Sequence, residues 1–145
     1  MFRLSSTPLD PAALARELGD PGAGALVTFE GRVRNQHDGR SVAALEYEVF
    51  AGLAEREGAQ VLAEARGKFP LLAAVCVHRT GRLELGEMAV WVGVAAAHRG
   101  PAFEACRHII DEVKGRVPIW KKEHFADGGP AMWVNCATRG AADEL

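Results

Sequence analysis

Apolar and polar positions alternate along the chain with two periods, and the changes of period mark the elements. From Pro101 to about Arg116 the apolar residues Phe103, Cys106, Ile109, Ile110 and Val113 recur at helical spacing and predict one buried side. Gly100-Pro101 opens this helix. Pro118 ends it, because a residue without an N–H cannot bond back to the Lys114 carbonyl. A second helix is predicted from Gly52 to about Lys68 on Leu53, Val61, Leu62 and Ala65, with Phe69-Pro70 as its stop. Asp10-Pro11 is an N-cap with proline at the first helical position, and it predicts a short helix to about Leu18 before Gly19.

The strands carry the other period. Gly24–Arg34 and Val42–Val49 are predicted as a hairpin around the polar, basic loop Asn35–Arg40. Leu72–His78 is a strand and Thr80-Gly81 a turn. Glu87–Ala97 is almost continuously apolar, as in a strand covered on both faces. Ile119–Phe125 and Met132–Cys136 are two strands joined by the turn-rich segment Ala126–Pro130, and the tail Thr138–Leu145 is expected to fray. This mixed order, with no repeat or linker, predicts an α+β fold in a single domain over residues 1–145.

Composition narrows the function. At 145 residues, with 48% apolar and 25% charged residues, the chain can bury a core unaided. A net charge of −2 argues against general nucleic-acid binding, so any basic site is local. The longest apolar run, Met88–Ala97, is too short for a bilayer, and the N-terminus has no signal-like core; a cytoplasmic protein without membrane contact is expected. Cys76, Cys106 and Cys136 stand thirty residues apart with no CxxC pair, which speaks against zinc or dithiol chemistry. Cys76 and Cys106 fall in apolar-periodic segments and are expected to be small buried hydrophobes. His37, His78, His108 and His124 have no partner at metal-ligand spacing, and no nucleotide-binding or hydrolase motif is present.

The candidate chemistry lies in lysine usage. The chain has thirteen arginines and four lysines, and three of the four, Lys114, Lys121 and Lys122, fall within nine residues. An arginine stays charged, whereas a lysine amine can lose its proton and act as base or nucleophile. Lys114 falls in the last turn of its helix, where it either complements the helix dipole or serves chemistry. Lys121 follows the bend at Pro118, so the two amines are placed to approach one another, with like charge from Arg116 and Lys122 favouring a neutral amine. His98-Arg99 sits where a buried strand hands over to a helix, either as an anion pocket or as a plain exposed loop. Arg32 and Arg34 share one strand face, paired either with Glu46 and Glu48 or with an anionic ligand. Trp120 and Trp133 are expected to pack as a cross-strand pair in the core.

Taken in order, Val27–Asn35, Leu45-Glu46-Tyr47-Glu48, His78-Arg79-Thr80-Gly81, Val92–Arg99 and Lys114–Glu123 closely resemble the family of large, catalytic subunits of molybdopterin synthase, from about residue 5 to Val134. The resemblance implies an α/β hammerhead with an additional antiparallel β-sheet. It implies sulfur transfer to cyclic pyranopterin monophosphate (precursor Z), forming the dithiolene of molybdopterin. The donor it implies is the C-terminal Gly-Gly thiocarboxylate of a small ubiquitin-like subunit, in a heterotetramer built on a homodimer of the large subunit. It further implies Lys114 and Lys121 as catalytic residues. The substrate-binding set it implies is Arg32, Val33, Arg34, His98, Arg99, Lys114, Lys121, Lys122 and Glu123, with no metal or resident cofactor. Arg139, in the diverging tail, is assigned no role. The alternative is a non-enzymatic α+β module that binds a phosphate or a peptide tail; a phosphate-ester hydrolase is a third reading, disfavoured because no nucleophile–base pair or metal cluster is visible.

Overall fold

The structure, a computed structural model, describes residues 1–138. The expected tail beyond Thr138, Arg139 included, lies outside the described residues.

Two sheets divide the chain. In the first, β1 (Phe2–Ser5), β5 (Ala73–Arg79), β7 (Met88–Ala96) and β2 (Ala25–Arg32) lie side by side in that order; β1 runs parallel to β5 and the other pairs are antiparallel. Helices α2 (Ala51–Lys68) and α3 (Arg99–Arg116) cover one face. Alternation along the strands sends Cys76, Val90, Val92 and Val94 toward Val61, Leu62, Cys106, Ile109 and Val113. Val75, Val77, Trp91 and Ala95 meet Leu14 and Leu18, from and just beyond α1 (Pro11–Arg16), on the other face. Strand β7 is therefore covered on both sides, as its unbroken apolar run predicts. A Cβ at Gly93 would lie 2.2 Å from the Trp91 ring and 2.5 Å from Leu18, so this close approach requires glycine.

The second sheet is antiparallel. Strand β4 (Arg40–Val49) pairs with β8 (Ile119–Phe125), which pairs with β9 (Trp133–Asn135); β3 (Gln36–His37) and β6 (Gly81–Glu84) pair with successive stretches of β4. The observed class is α+β, a helix-covered layer with an additional antiparallel sheet, as expected.

Local signals held. Asp10 caps α1 by accepting from the Ala12 and Ala13 N–H groups. Helix α3 stops at Arg116, and its C-cap Val117 bonds back to Val113 just ahead of Pro118. All three cysteines are reduced and buried.

Pairing between distant segments departs from expectation. Residues 24–34 and 42–49 do not form one hairpin: β2 joins β7 in the first sheet, and only Gln36–His37 folds back on β4. The crossing occurs at residues 33–35, where Val33 is hydrogen-bonded to Gly86 and Glu87 while Asn35 accepts from Val42. Strands β1 and β6 are additions, stabilised by partners far along the chain. Phe103 is 61% exposed and lies off the buried face of α3, which small residues (Ala102, Ala105) occupy instead. Trp120 and Trp133 are not core residues. Trp120 stands opposite Asn135 and Trp133 opposite Lys122, so the indoles are diagonal neighbours lining a partly exposed apolar cleft with Phe50.

Candidate functional site

Helix α3 leaves β7 and runs back along it, so its last turn lies over the end of the first sheet where β2 and β5 finish and β7 begins. Lys114 lies beside Val113 on the buried stripe and is only 3% exposed. Its Nζ is 5.8 Å from the centre of the Tyr47 ring, within cation–π range. Tyr47, the chain's single tyrosine, is buried on β4 and meets His78 of β5 edge-on at 4.9 Å.

The Lys114 charge is felt by its neighbours. Burial, reinforced by that charge, pushes the His78 imidazole down to about 3, although its Nδ1–H donates to the Arg79 carbonyl at 2.8 Å. His78 is thus neutral. Burial raises the Cys76 thiol to about 12, with Lys114 pulling the other way, and raises Cys106 to about 11; neither is a ready thiolate.

Lys121 arrives from the neighbouring strand. It stands directly across from Tyr47 in the β4–β8 register and is 7% exposed. The two lysines therefore flank one tyrosine, Lys114 from the helix and Lys121 from the sheet. Glu123, two residues on and on the same face, places Oε1 3.9 Å from Lys121 Nζ and 2.6 Å from His37 Nδ1. Lys122 points to the other face, across from Glu46 and 5.6 Å from the Trp133 ring. The expected crowd of like charge does not form: Arg116 turns outward to Glu64, Glu112 and Glu57, tying α3 to α2.

The arginine segment reaches the same end of the molecule. Val33 is buried and anchors it, while Arg32 and Arg34 are exposed. A bulge at Gly31/Arg32 ends β2, and Arg32 pairs with Glu30 at 2.8 Å and not with Glu46 or Glu48. Glu46 is engaged by His124 at 2.6 Å. Arg34 makes no ion pair among the described residues.

His98 and Arg99 lie elsewhere. His98 is the N-cap of α3, without a side-chain cap bond, and both residues are exposed beside three N–H groups, of His98, Arg99 and Gly100, that have no partner inside the helix; Pro101 brings no N–H. Fifteen helical positions, about 22 Å, separate Arg99 from Lys114. One chain thus gathers Arg32, Arg34, Lys114, Lys121 and Glu123 toward one end and leaves His98 and Arg99 at the other.

Sequence reasoning assigned no role to His37, Tyr47, His78 or Arg79. Arg79 is 5% exposed and faces Glu87 at 3.6 Å. Tyr47 and His78-Arg79 stood within quoted motifs, which was a usable signal; nothing local linked His37 to Glu123, 86 positions away. Among the described residues no three His, Cys, Asp or Glu side chains are grouped to hold a metal ion, and no helix is long and apolar enough to cross a membrane.

Comparison with known proteins places this geometry. The family model described as MoaE protein matches residues 4–116. The molybdopterin synthase catalytic subunit of Thermoplasma volcanium is 45% identical over 90% of this chain and 94% of its own length. That of Pseudomonas aeruginosa is 44% identical over 97% and 95%. The structure is similar to molybdopterin synthase from Staphylococcus aureus, with a TM-score of 0.85 and 32% identity over 91% of this chain and 95% of that one. It is also similar to the molybdopterin biosynthesis MoaE protein of Burkholderia ambifaria, with a TM-score of 0.82 and 36% identity over 97% and 93%.

Proposed function

The chain belongs to the MoaE family, and from that membership we propose that it is the catalytic subunit of a molybdopterin synthase, moving sulfur from a partner's C-terminal thiocarboxylate to cyclic pyranopterin monophosphate. Its role is enzymatic, in molybdenum cofactor biosynthesis. The observation that carries the sulfur-transfer reading is the pair of buried amines flanking Tyr47. A module that only binds anions is served by a fixed charge, which this chain elsewhere takes from arginine; a titratable amine at both positions suits proton or acyl transfer.

The donor is a small ubiquitin-like subunit whose Gly-Gly tail enters beside the lysines. Each transfer breaks the tail's acyl–sulfur bond and a carbon–oxygen bond of the pterin side chain and forms a carbon–sulfur bond there; the displaced oxygen leaves as water or stays on the phosphate, and water supplies the oxygen with which the tail leaves as a carboxylate. Lys114 does the acid–base work or makes transient contact with the tail's acyl group; Lys121 positions and polarises the substrate. Buried, protonated thiols at Cys76 and Cys106 agree with sulfur that arrives on a partner. Arg34, exposed and free of ion pairs among the described residues, suits the substrate's phosphate. His98 and Arg99 suit an anion as well, but about 22 Å from Lys114 they serve the same site only from a second copy. Homodimerisation supplies that copy, with the α3 N-terminus of one chain completing the lysine end of the other.

The test is reconstitution with a thiocarboxylated small subunit and the cyclic pterin, quantifying molybdopterin as its oxidised fluorescent derivative. Product from the wild type, and a loss of about a hundredfold or more in Lys114→Ala, is expected. No product from wild-type protein that binds both partner and pterin would favour the binding module.

A further inference from the structure

We propose that His37 is a positioning residue for Lys121, acting through Glu123. The inference deepens the sulfur-transfer reading and rests on it for the task of Lys121. Its starting point is the β3–β4 hairpin, closed by Asp38-Gly39 with φ of 50° and 76°, the left-handed pair that a two-residue hairpin turn requires. The turn brings His37 over β8. There the His37 Nδ1–H donates to Glu123 Oε1 at 2.6 Å, and the same oxygen lies 3.9 Å from Lys121 Nζ.

The three side chains are 12%, 12% and 8% exposed, so water screens their interaction weakly. A carboxylate buried this far needs donors that satisfy it and hold it in place. Across the β4–β8 pair Glu123 faces Leu45, which offers no polar group. The imidazole supplies a donor and sets the carboxylate at one place beside the ammonium. Asp38 approaches the other ring nitrogen, Nε2, at 3.6 Å. Without the ring's donor the carboxylate is free to turn, and the amine moves with it.

Hairpin anchoring and carboxylate positioning are separable, because the hairpin has its own ties. Arg40 lies 3.5 Å from the Phe125 ring centre and 3.2 Å from Asp127. A residue that merely held the hairpin down would be equivalent to Arg40.

The experiment is NMR of the lysine side chains, whose four ammonium signals can be assigned by single Lys→Arg replacements. His37→Leu removes the donor, His37→Asn keeps an N–H at the Nδ1 position, and Arg40→Ala loosens only the hairpin; circular dichroism checks that each folds. Expected are a displaced Lys121 signal in His37→Leu, a near-native one in His37→Asn, and no change in Arg40→Ala. In the reconstituted reaction His37→Leu should lower kcat ten- to a hundredfold with KM nearly unchanged, and His37→Asn should restore most of it. An unmoved Lys121 signal in His37→Leu, or an equal displacement in Arg40→Ala, would overturn the proposal. Should the wild type make no molybdopterin, the sulfur-transfer reading fails by that result, while the NMR comparison still decides whether His37 positions Lys121.

Discussion

The two ends of α3 put positive charge to opposite uses. At the N-terminus Arg99 and His98 stand in solvent beside unpaired helical N–H groups. Near the C-terminus Lys114 is folded inward against Tyr47, with His78 and Cys76 close enough to feel its charge. On the proposed reading the exposed end grips an anion and releases it, because its charge stays hydrated and fixed. On the same reading the buried amine instead does acid–base work. The difference also explains the choice of residue. On α3 the always-protonated arginines Arg99, Arg107 and Arg116 lie outward, and lysine, which can give up its proton, is the cation placed within. Lys114 and Arg116 both lie in the last turn, where the helix dipole favours positive charge, and Arg116 points outward among three glutamates.

The sharpest way to break this comparison is to exchange the two cations. Lys114→Arg keeps the charge but not the titratable amine, and reconstituted activity should fall about a hundredfold or more while the fold survives. Activity within a few-fold of wild type would reduce Lys114 to a fixed charge like that at the other end. The acid dependence of stability probes the buried end alone. His78 has a folded value of about 3 against an ordinary 6.5, so between those limits the unfolded chain binds more protons than the native one. Stability is therefore full above about pH 6.5 and falls as pH drops toward 3, by up to about 1.4 kcal/mol per pH unit from this group. Denaturant titrations of wild type and His78→Gln should differ by that slope, and parallel pH profiles would show that His78 is not held neutral. The smallest effect is expected at the exposed end. Arg99→Lys should raise KM only a few-fold, because a hydrated ammonium replaces much of the anion grip. A collapse in kcat would show that this end also takes part in chemistry.

Much of this was legible in the chain, for identifiable reasons. Asp10-Pro11, the apolar run of β7 and the stop at Pro118 are local signals, and local geometry obeyed them. The stretch Lys114–Glu123 announced itself by lysine usage. Strand partners were not legible: residues 24–34 and 42–49 are close in sequence and look like a hairpin, yet β2 gains more by lying against the apolar β7 than by pairing with β4. Phe103 and the two indoles misled because apolar character does not say which face a residue takes. The side of the sheet likewise separates Lys122 from Lys121. The His37–Glu123 contact and the distance between Arg99 and Lys114 are products of tertiary structure, and no spacing rule reports either.

The central claim is that both ends of α3 serve one site through two copies of the chain. It is tested most directly by mixing Lys114→Ala with the double variant His98→Ala/Arg99→Ala, each expected to lose activity alone, after subunit exchange, in the reconstituted reaction. In a mixed dimer whose sites each draw on both chains, one site carries both lesions and the other none. About a quarter of wild-type activity should then return at equal mixing. No recovery, with mixed dimers demonstrated by mass, would contradict the claim and return each site to a single chain.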